Sequence, residues 1–355
     1  MIVYTKATGL IPQAASLEAP IKMIIENESN IQAKKNLILD QLYNVERSNR
    51  FGETLITETE FNLFKAAEEG AAAEQDNIRK LTSKFVEHIQ FMKEFNISAE
   101  MMEDAGYGIA ASAKRRIENF TRSYYRTMNN VAAYALIRAT EPTFSYLGAE
   151  LDLTTPDGLP VFNKKHTWGV SGIATGSFSN RFGGKIFQSN PADTETDSYD
   201  MSLLEERINY LAAHIRKAPD ENGEAMGYEA DTIIIPANQP KAESMIKRLC
   251  YSEHQVNTSN NDINLNYGRW RVIVLPQWLA GAPSFIMMSS EANKNLGGNM
   301  FFNRIPLTVS NWIDPHTGNY VWNGRCRFGV GFGTYKHMLY AVDMPDADED
   351  YIYMD

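Results

Sequence analysis

The chain has 355 residues, 43% hydrophobic and 22% charged, a balance that lets two or three lobes bury a sizeable core and excludes a disordered scaffold. A formal net charge of −10 and a pI near 5.2 argue against a protein that grips phosphate backbones, so contact with nucleic acid is expected to be loose. Two cysteines, Cys250 and Cys326, are too few for a disulfide framework and read as free buried thiols in a reducing cytoplasm. With no apolar run near the ~20 residues of a membrane span and no secretory pattern at the start, the expectation is a soluble protein that stays in its cell, without membrane contact.

Residues 1–50 read as an arm with one embedded helix, for which Ser29 and Gln32 supply a capping-box pair ahead of Ile31, Leu37, Ile38 and Leu42. An extended hairpin over residues 51–97 follows. From Leu81 to Ile97 apolar and polar residues alternate, a strand pattern that would run roughly 50 Å. Its partner is the segment TLITETEFNLFK (Thr54 to Lys65), and the acidic, small-residue EEGAAAEQDN joins the two. A two-stranded ribbon is marginal alone, so its apolar face, assigned to Phe85, Ile89, Phe91 and Phe95, is expected to be covered by another subunit.

Ser98 is placed to cap a helix whose Glu100, Glu103 and Asp104 suit the positive end of its dipole. Beyond Gly106 and Gly108, the residues Ala113, Ile117, Phe120, Tyr124, Met128, Val131 and Ala135 recur on one helical face. A helix continuous to Ala139 would span roughly 60 Å before Pro142 breaks it. Its stripe is rich in aromatics and poor in apolar heptads, which favours packing on a sheet over a coiled coil.

Short strands around the turn TPDG are expected from Phe144 to Asn163, and residues 169–200, rich in Gly, Ser, Asn and Asp, read as loop. A mixed lobe follows. Ser202 and Glu205 form a second capping box for a helix that turns Leu204, Ile208, Leu211 and Ile215 inward, and PDENG is a turn. Strands are predicted at Thr232 to Ile235, Trp270 to Leu275 and Phe285 to Met288, with a helix from Pro240 to Tyr251. Met300 to Val342 is aromatic-rich strand material, and DMPDADEDYIYMD is an acidic tail.

Sites of chemistry are sparse. Cys250 and His254 are four apart but lack two further ligands for structural zinc, and Asp346, Asp348 and Asp350 lack the glycine and closing glutamate of a calcium loop. The glycines of GVGFG (Gly329, Gly331, Gly333) alternate with apolar residues as in a closely packed strand, and no helix follows to make a phosphate loop. Six scattered histidines sit in no recognisable catalytic motif. Lys114, Arg115 and Arg116 read as a solvated face or as partners for a neighbour's carboxylates. No catalytic, metal-binding or cofactor-binding residue is assigned, and no cofactor is expected.

Three stretches carry a resemblance. RFGETLITETEFNLFKAAEEG followed by FVEHIQFMKEFNISAEMMEDA is similar to the extended loop, returning into the spine helix, of the major capsid proteins of tailed bacteriophages, the Hong Kong 97-like fold. DTIIIPANQPKAESMIKRL resembles the strand and helix of that family's axial domain, and RCRFGVGFGTYKHMLYAV its last peripheral strands. The likeness implies an α+β fold: N-terminal arm 1–50, extended loop 51–97, spine helix and first part of the peripheral domain 98–200, axial domain 201–310, and peripheral return strands with acidic tail 311–355.

The resemblance also implies a non-enzymatic major capsid (head) protein that self-assembles, as pentamers and hexamers, into an icosahedral shell around the double-stranded DNA of a tailed phage. Its implied partners are copies of itself, a portal, separate scaffolding or decoration proteins, and DNA held loosely; its place is the virion, assembled in the host bacterial cytoplasm. Some members crosslink a loop lysine to a neighbour's asparagine. Lys65, Lys80 and Lys84 lie in the loop, but nothing identifies the asparagine or a catalytic glutamate, so no active site is carried over. With the arm beginning close behind Met1, no cleaved scaffolding segment is expected. An encapsulin-like nanocompartment of the same fold, and a cytoplasmic α/β enzyme built on residues 200–300, are the rival readings.

Overall fold

The computed structural model describes residues 3–5, 12–33, 35, 38–59, 61, 63–66, 69, 72, 75, 77–100, 111–170, 174–192, 199–254 and 263–354. They fold as two compact units. The first comprises residues 1–53, 86–132 and 301–330, and the second residues 54–85, 133–300 and 331–355.

The first unit is a sheet with helices. Strand β1 (Val3–Thr5) pairs in parallel with β14 (Asn299–Ile313), which β2 (Asn44–Arg47) also pairs; β15 (Tyr320–Phe332) and β5 (Ile89–Ile97) complete the sheet. The arm is therefore docked on its own chain. Its helix α1 (Pro12–Ala33) buries Ile21 and Ile25, and Glu28 accepts a 2.7 Å hydrogen bond from Nε of Arg122. This helix ends where the capping box predicted a beginning: Ser29 lies inside it, 2.5 Å from the Tyr125 hydroxyl, and Gln32 donates to Glu28 at 2.6 Å. A separate short helix, α2 (Ile38–Leu42), follows. Side chains that bond within or between helices do not need to cap one.

Helix α3 (Ala111–Ile137) carries the predicted stripe, with Ile117, Phe120, Tyr124, Met128, Val131 and Ala135 all buried. At 27 residues it is about 40 Å long. Ala99 and Glu100 open a helical turn, whereas Glu103, Asp104, Gly106 and Gly108 lie outside the described residues.

The second unit is built on a six-stranded sheet ordered β12 (Arg271–Leu275), β11 (Thr232–Pro236), β13 (Ser284–Met288), β16 (Met338–Asp343), β10 (Arg181–Gly184) and β17 (Ile352–Met354). Helices α4 (Met201–Arg216) and α5 (Pro240–Tyr251) cover one face, packing Leu204, Ile208, Leu211, Ile215, Ile246 and Leu249 against Ile233, Ile235, Phe285, Met287, Leu339 and Ala341. Alternate strand residues meet the helices because successive side chains point to opposite faces. Asp200, not Ser202, caps α4: its carboxylate accepts from the backbone N–H of Ser202 and Leu203. The turn TPDG stands between Thr154 and Pro160, beside the hairpin of β6 (Thr143–Tyr146) and β7 (Ala149–Asp152).

Two expectations fail here. Residues 169–200 are not all loop: they include most of the hairpin of β8 (His166–Val170) and β9 (Ala174–Phe178), and β10 is a core strand. The glycines that suggested a loop serve close packing. Gly184 has φ +126°, and a Cβ there would stand 2.2 Å from the carbonyl oxygen of Met354. Nor is the acidic tail free, since β17 pairs in parallel with β10, so the segment 311–355 is shared between both units.

Candidate intersubunit interface

The two-stranded ribbon is β3 (Gly52–Glu58) paired with β4 (Lys80–Glu87), extended by Thr59 N–H to the Arg79 carbonyl at 2.9 Å and Arg79 N–H to Thr59 Oγ1 at 2.8 Å. It is shorter than the alternation suggested, because the strand predicted from Leu81 to Ile97 is two strands. The break is His88. Its ring is buried, Nδ1 lies 3.2 Å from the Arg50 carbonyl, its own carbonyl accepts from Nε of Arg327 at 2.9 Å, and desolvation holds its pKa below the usual histidine value. A Cβ at Gly329 would meet the Glu87 carbonyl at 3.0 Å, so the GVGFG run is strand material whose bare backbone permits this bend.

Burial changes phase at that point. Before it the even positions Lys84 and Val86 are buried and Phe85 is 53% exposed; after it the odd positions Ile89, Phe91, Phe95 and Ile97 are the covered ones. The four residues assigned to one interface face are thus divided. Ile89 is in register with Phe328, the Phe91 ring stacks on Phe328 at 4.7 Å between centroids, and Phe95 lies 4.8 Å from Phe120 and 6.3 Å from Trp322. These three side chains pack within the first unit, while Phe85 stays on the ribbon.

Beside Phe85, the exposed apolar surface of the ribbon comes from residues that the alternation did not single out: Ile56, Phe61, Leu63, Phe64 and Ile78, with Leu63 71% exposed and Phe64 wholly so. Their signal lay in TLITETEFNLFK, where aromatics stand between glutamates with no periodicity to turn them inward. The ribbon's base is held by Lys84. Its buried ammonium donates to the carbonyls of Asp152 at 3.0 Å and Thr154 at 2.6 Å, and lies 3.0 Å from the Asp152 carboxylate. Desolvation lowers the Lys84 pKa, and the Asp152 charge opposes that shift.

The remaining candidates are dispersed. Cys250 is buried in the second unit's core, where burial pushes its thiol up to about 12, and His254 is exposed. Cys326 is likewise buried and pushed up to about 12. Asp346, Asp348 and Asp350 are exposed, with Asp350 3.8 Å from Arg181. Lys114, Arg115 and Arg116 are exposed on α3. Among the described residues no three His, Cys, Asp or Glu side chains converge to hold a metal, and no helix is long and apolar enough to cross a membrane.

No protein-family model and no curated protein sequence matches the chain. Solved structures do. The capsid structure of the cyanophage P-SCSP1u superposes with a TM-score of 0.50 at 11% identity, covering 88% of this chain and 89% of that one. The chain has the Hong Kong 97-like capsid fold. Structures from Mycobacterium phage Patience (TM-score 0.49, 14% identity, 99% of this chain and 94% of that chain) and the capsid of Myoviridae phage XM1 (0.48, 14%, 84% and 90%) also match.

Proposed function

We propose that this chain is the major capsid protein of a tailed bacteriophage, assembling as pentamers and hexamers into an icosahedral shell around double-stranded DNA. The observation that supports this reading is the capsid fold over most of the chain, joined to a ribbon that exposes Ile56, Phe61, Leu63, Phe64, Ile78 and Phe85. A monomer gains nothing from holding such side chains in water, whereas a repeated contact uses each of them. The second unit's sheet and helices serve as the axial lobe around the fivefold and sixfold axes, and many weak contacts sum to a closed shell.

A chain carrying −10 net charge suits a wall that must not bind packed DNA tightly. Assembly takes place in the host cytoplasm and the product is the virion; the portal and separate scaffolding or decoration proteins complete it. The protein acts by geometry, without catalysis. Electron microscopy of the purified protein tests this: closed shells of uniform diameter, or capsomers and open sheets, are expected. A sedimentation profile with only monomer across concentration and salt would overturn it, and shells filled in their native host with an enzyme instead of DNA would mark a nanocompartment.

A further inference from the structure

In the second unit a fully buried histidine faces two hydrogen-bond acceptors. His166 opens β8; its Nδ1 lies 2.7 Å from Oδ2 of Asp157, in the TPDG turn, and its Nε2 lies 3.1 Å from the Val161 carbonyl. That carbonyl also accepts from Asn180 Nδ2 at 2.7 Å, so it meets the ring with its second lone pair. Against an ionised Asp157, a neutral ring of either tautomer would turn a bare nitrogen toward an oxygen, and only an imidazolium donates to both. Desolvation alone would raise the Asp157 pKa, but the hydrogen bonds from His166, from Thr155 Oγ1 and from the Leu159 N–H at 3.2 Å hold it below the usual carboxylate value.

The neighbouring charges favour the same state. The His166 ring lies flat on Tyr335, with 3.8 Å between centroids and 6° between planes, and an aromatic face attracts a cation. The Tyr335 hydroxyl donates to the Thr167 carbonyl at 3.1 Å. Next to it, the buried Lys336 donates to Glu221, whose other oxygen accepts from the Gly169 N–H at 2.9 Å. Asp157, Glu221 and Lys336 together are one positive charge short of neutrality, and a buried carboxylate needs its counter-charge. The other basic groups nearby are engaged or exposed. His214, stacked on Phe178, has its pKa held down by desolvation and its Nε2 2.7 Å from the Ser179 carbonyl, and burial pushes His337, bonded to Asn299 at 2.9 Å, down to about 3. Lys164 donates to the Glu349 carbonyl at 3.1 Å, and Lys165 is exposed.

We propose that His166 is a buried imidazolium whose proton latches the β8–β9 hairpin to the second unit, so that the hairpin is docked while the ring carries both hydrogens and opens as rising pH removes one. The docked hairpin binds this proton more tightly than the open one, so the stability it contributes is present at neutral pH and lost toward alkaline pH. Tyr335, the Lys336–Glu221 pair and Asp157 all bear on β8, which is why loss of one charge there acts on the hairpin. The latch goes beyond the shell reading and does not depend on it.

Nitrogen-15 NMR of the histidine-labelled full chain at pH 7 tests the protonation state. Both His166 nitrogens should be of the protonated type. An unprotonated Nε2 would overturn the proposal, and an unprotonated Nδ1 would place the proton on Asp157 instead and overturn it equally. Asp157→Asn keeps the shape of the side chain and removes the charge; it should leave the ring with one hydrogen, and a ring still doubly protonated in that variant would remove Asp157 from the latch. Hydrogen exchange tests the opening. A solvated imidazole is neutral above about pH 6.5, so an opening that releases one proton should make the opening constant of the hairpin, corrected for intrinsic exchange, rise about tenfold per pH unit from pH 7 to 8.5. His166→Gln should abolish that slope. A hairpin whose opening in the parent is independent of pH, or one that opens only together with β11, would overturn the latch. Both measurements on the parent stand by themselves if a variant fails to fold, and each reads the same on subunits as on shells.

Discussion

Lys84 and Asp152 form the tie that holds the ribbon to the β6–β7 hairpin of the same unit, and the carboxylate is its lesser part. The lysine side chain is 7% exposed and the aspartate 52%, so the charge pair is half in water, whereas the two carbonyl acceptors of Asp152 and Thr154 keep the ammonium hydrogen-bonded on its buried side. Replacing Lys84 by Met should cost about 1–3 kcal/mol, because both carbonyls lose their donor. Asp152→Asn should cost no more than about 1 kcal/mol. Urea denaturation of the two variants measures the difference, and equal losses would show that the carboxylate dominates.

Phe91 and Phe85 should separate folding from assembly. Phe91→Ala removes a ring stacked on Phe328 and is expected to destabilise the subunit by about 2–3 kcal/mol. Phe85→Ser with Ile56→Ser changes two exposed ribbon residues and should alter stability by less than about 1 kcal/mol while abolishing shells. Normal assembly of this double variant, seen by electron microscopy, would remove the ribbon from the interface.

Asp343 sets a pH dependence. It is buried on β16 and its Oδ1 accepts from the N–H of Ile186 at 2.7 Å and Phe187 at 2.8 Å, yet desolvation outweighs these bonds and pushes its pKa up to about 7. A carboxyl group raised from an ordinary value of 3.8 binds more protons folded than unfolded. Its contribution to stability is therefore complete below about pH 4 and is lost as pH rises to about 7. Asp343→Asn keeps an acceptor oxygen and cannot titrate. The stability difference between parent and variant should favour the parent more at pH 4.5 than at pH 7.5, and a difference independent of pH would show that Asp343 is ionised throughout.

Gly184 should be irreplaceable in the six-stranded sheet. Alanine there combines an unfavourable φ of +126° with a Cβ 2.2 Å from the Met354 carbonyl oxygen, so β17 must leave its place. A loss of about 3 kcal/mol or more is expected, together with rapid proteolysis after residue 344. A variant with parental melting temperature and an uncut tail would show that β17 accommodates the methyl group.

Much of the capsid fold was legible locally. The stripe from Ile117 to Ala135, the inward residues of α4, the helix from Pro240 to Tyr251 and the apolar runs at β11 and β13 are periodic patterns, and each appears as an element of the expected kind. Burying a helix stripe or a run of aliphatics is worth enough that most local surroundings enforce it. The order of those elements then carried the family resemblance.

What the chain's own alternation could not decide was which partner each strand would meet. Leu81 to Ile97 reads as one strand, but β3 is the partner of its outer half and β15 of its inner half, so His88 breaks it and the buried phase shifts by one residue. That shift moved Ile89, Phe91 and Phe95 into the first unit and left Phe85 outside. The glycines of β10 and the acidic tail were opaque for the same reason: composition described them as loop and solvent-exposed charge, and only the parallel pairing of Phe182 to Gly184 with Ile352 to Met354 made them strands. Periodicity along a chain records which face of an element is covered, whereas pairing between segments 170 residues apart depends on backbone hydrogen bonds that leave no side-chain signature in the sequence.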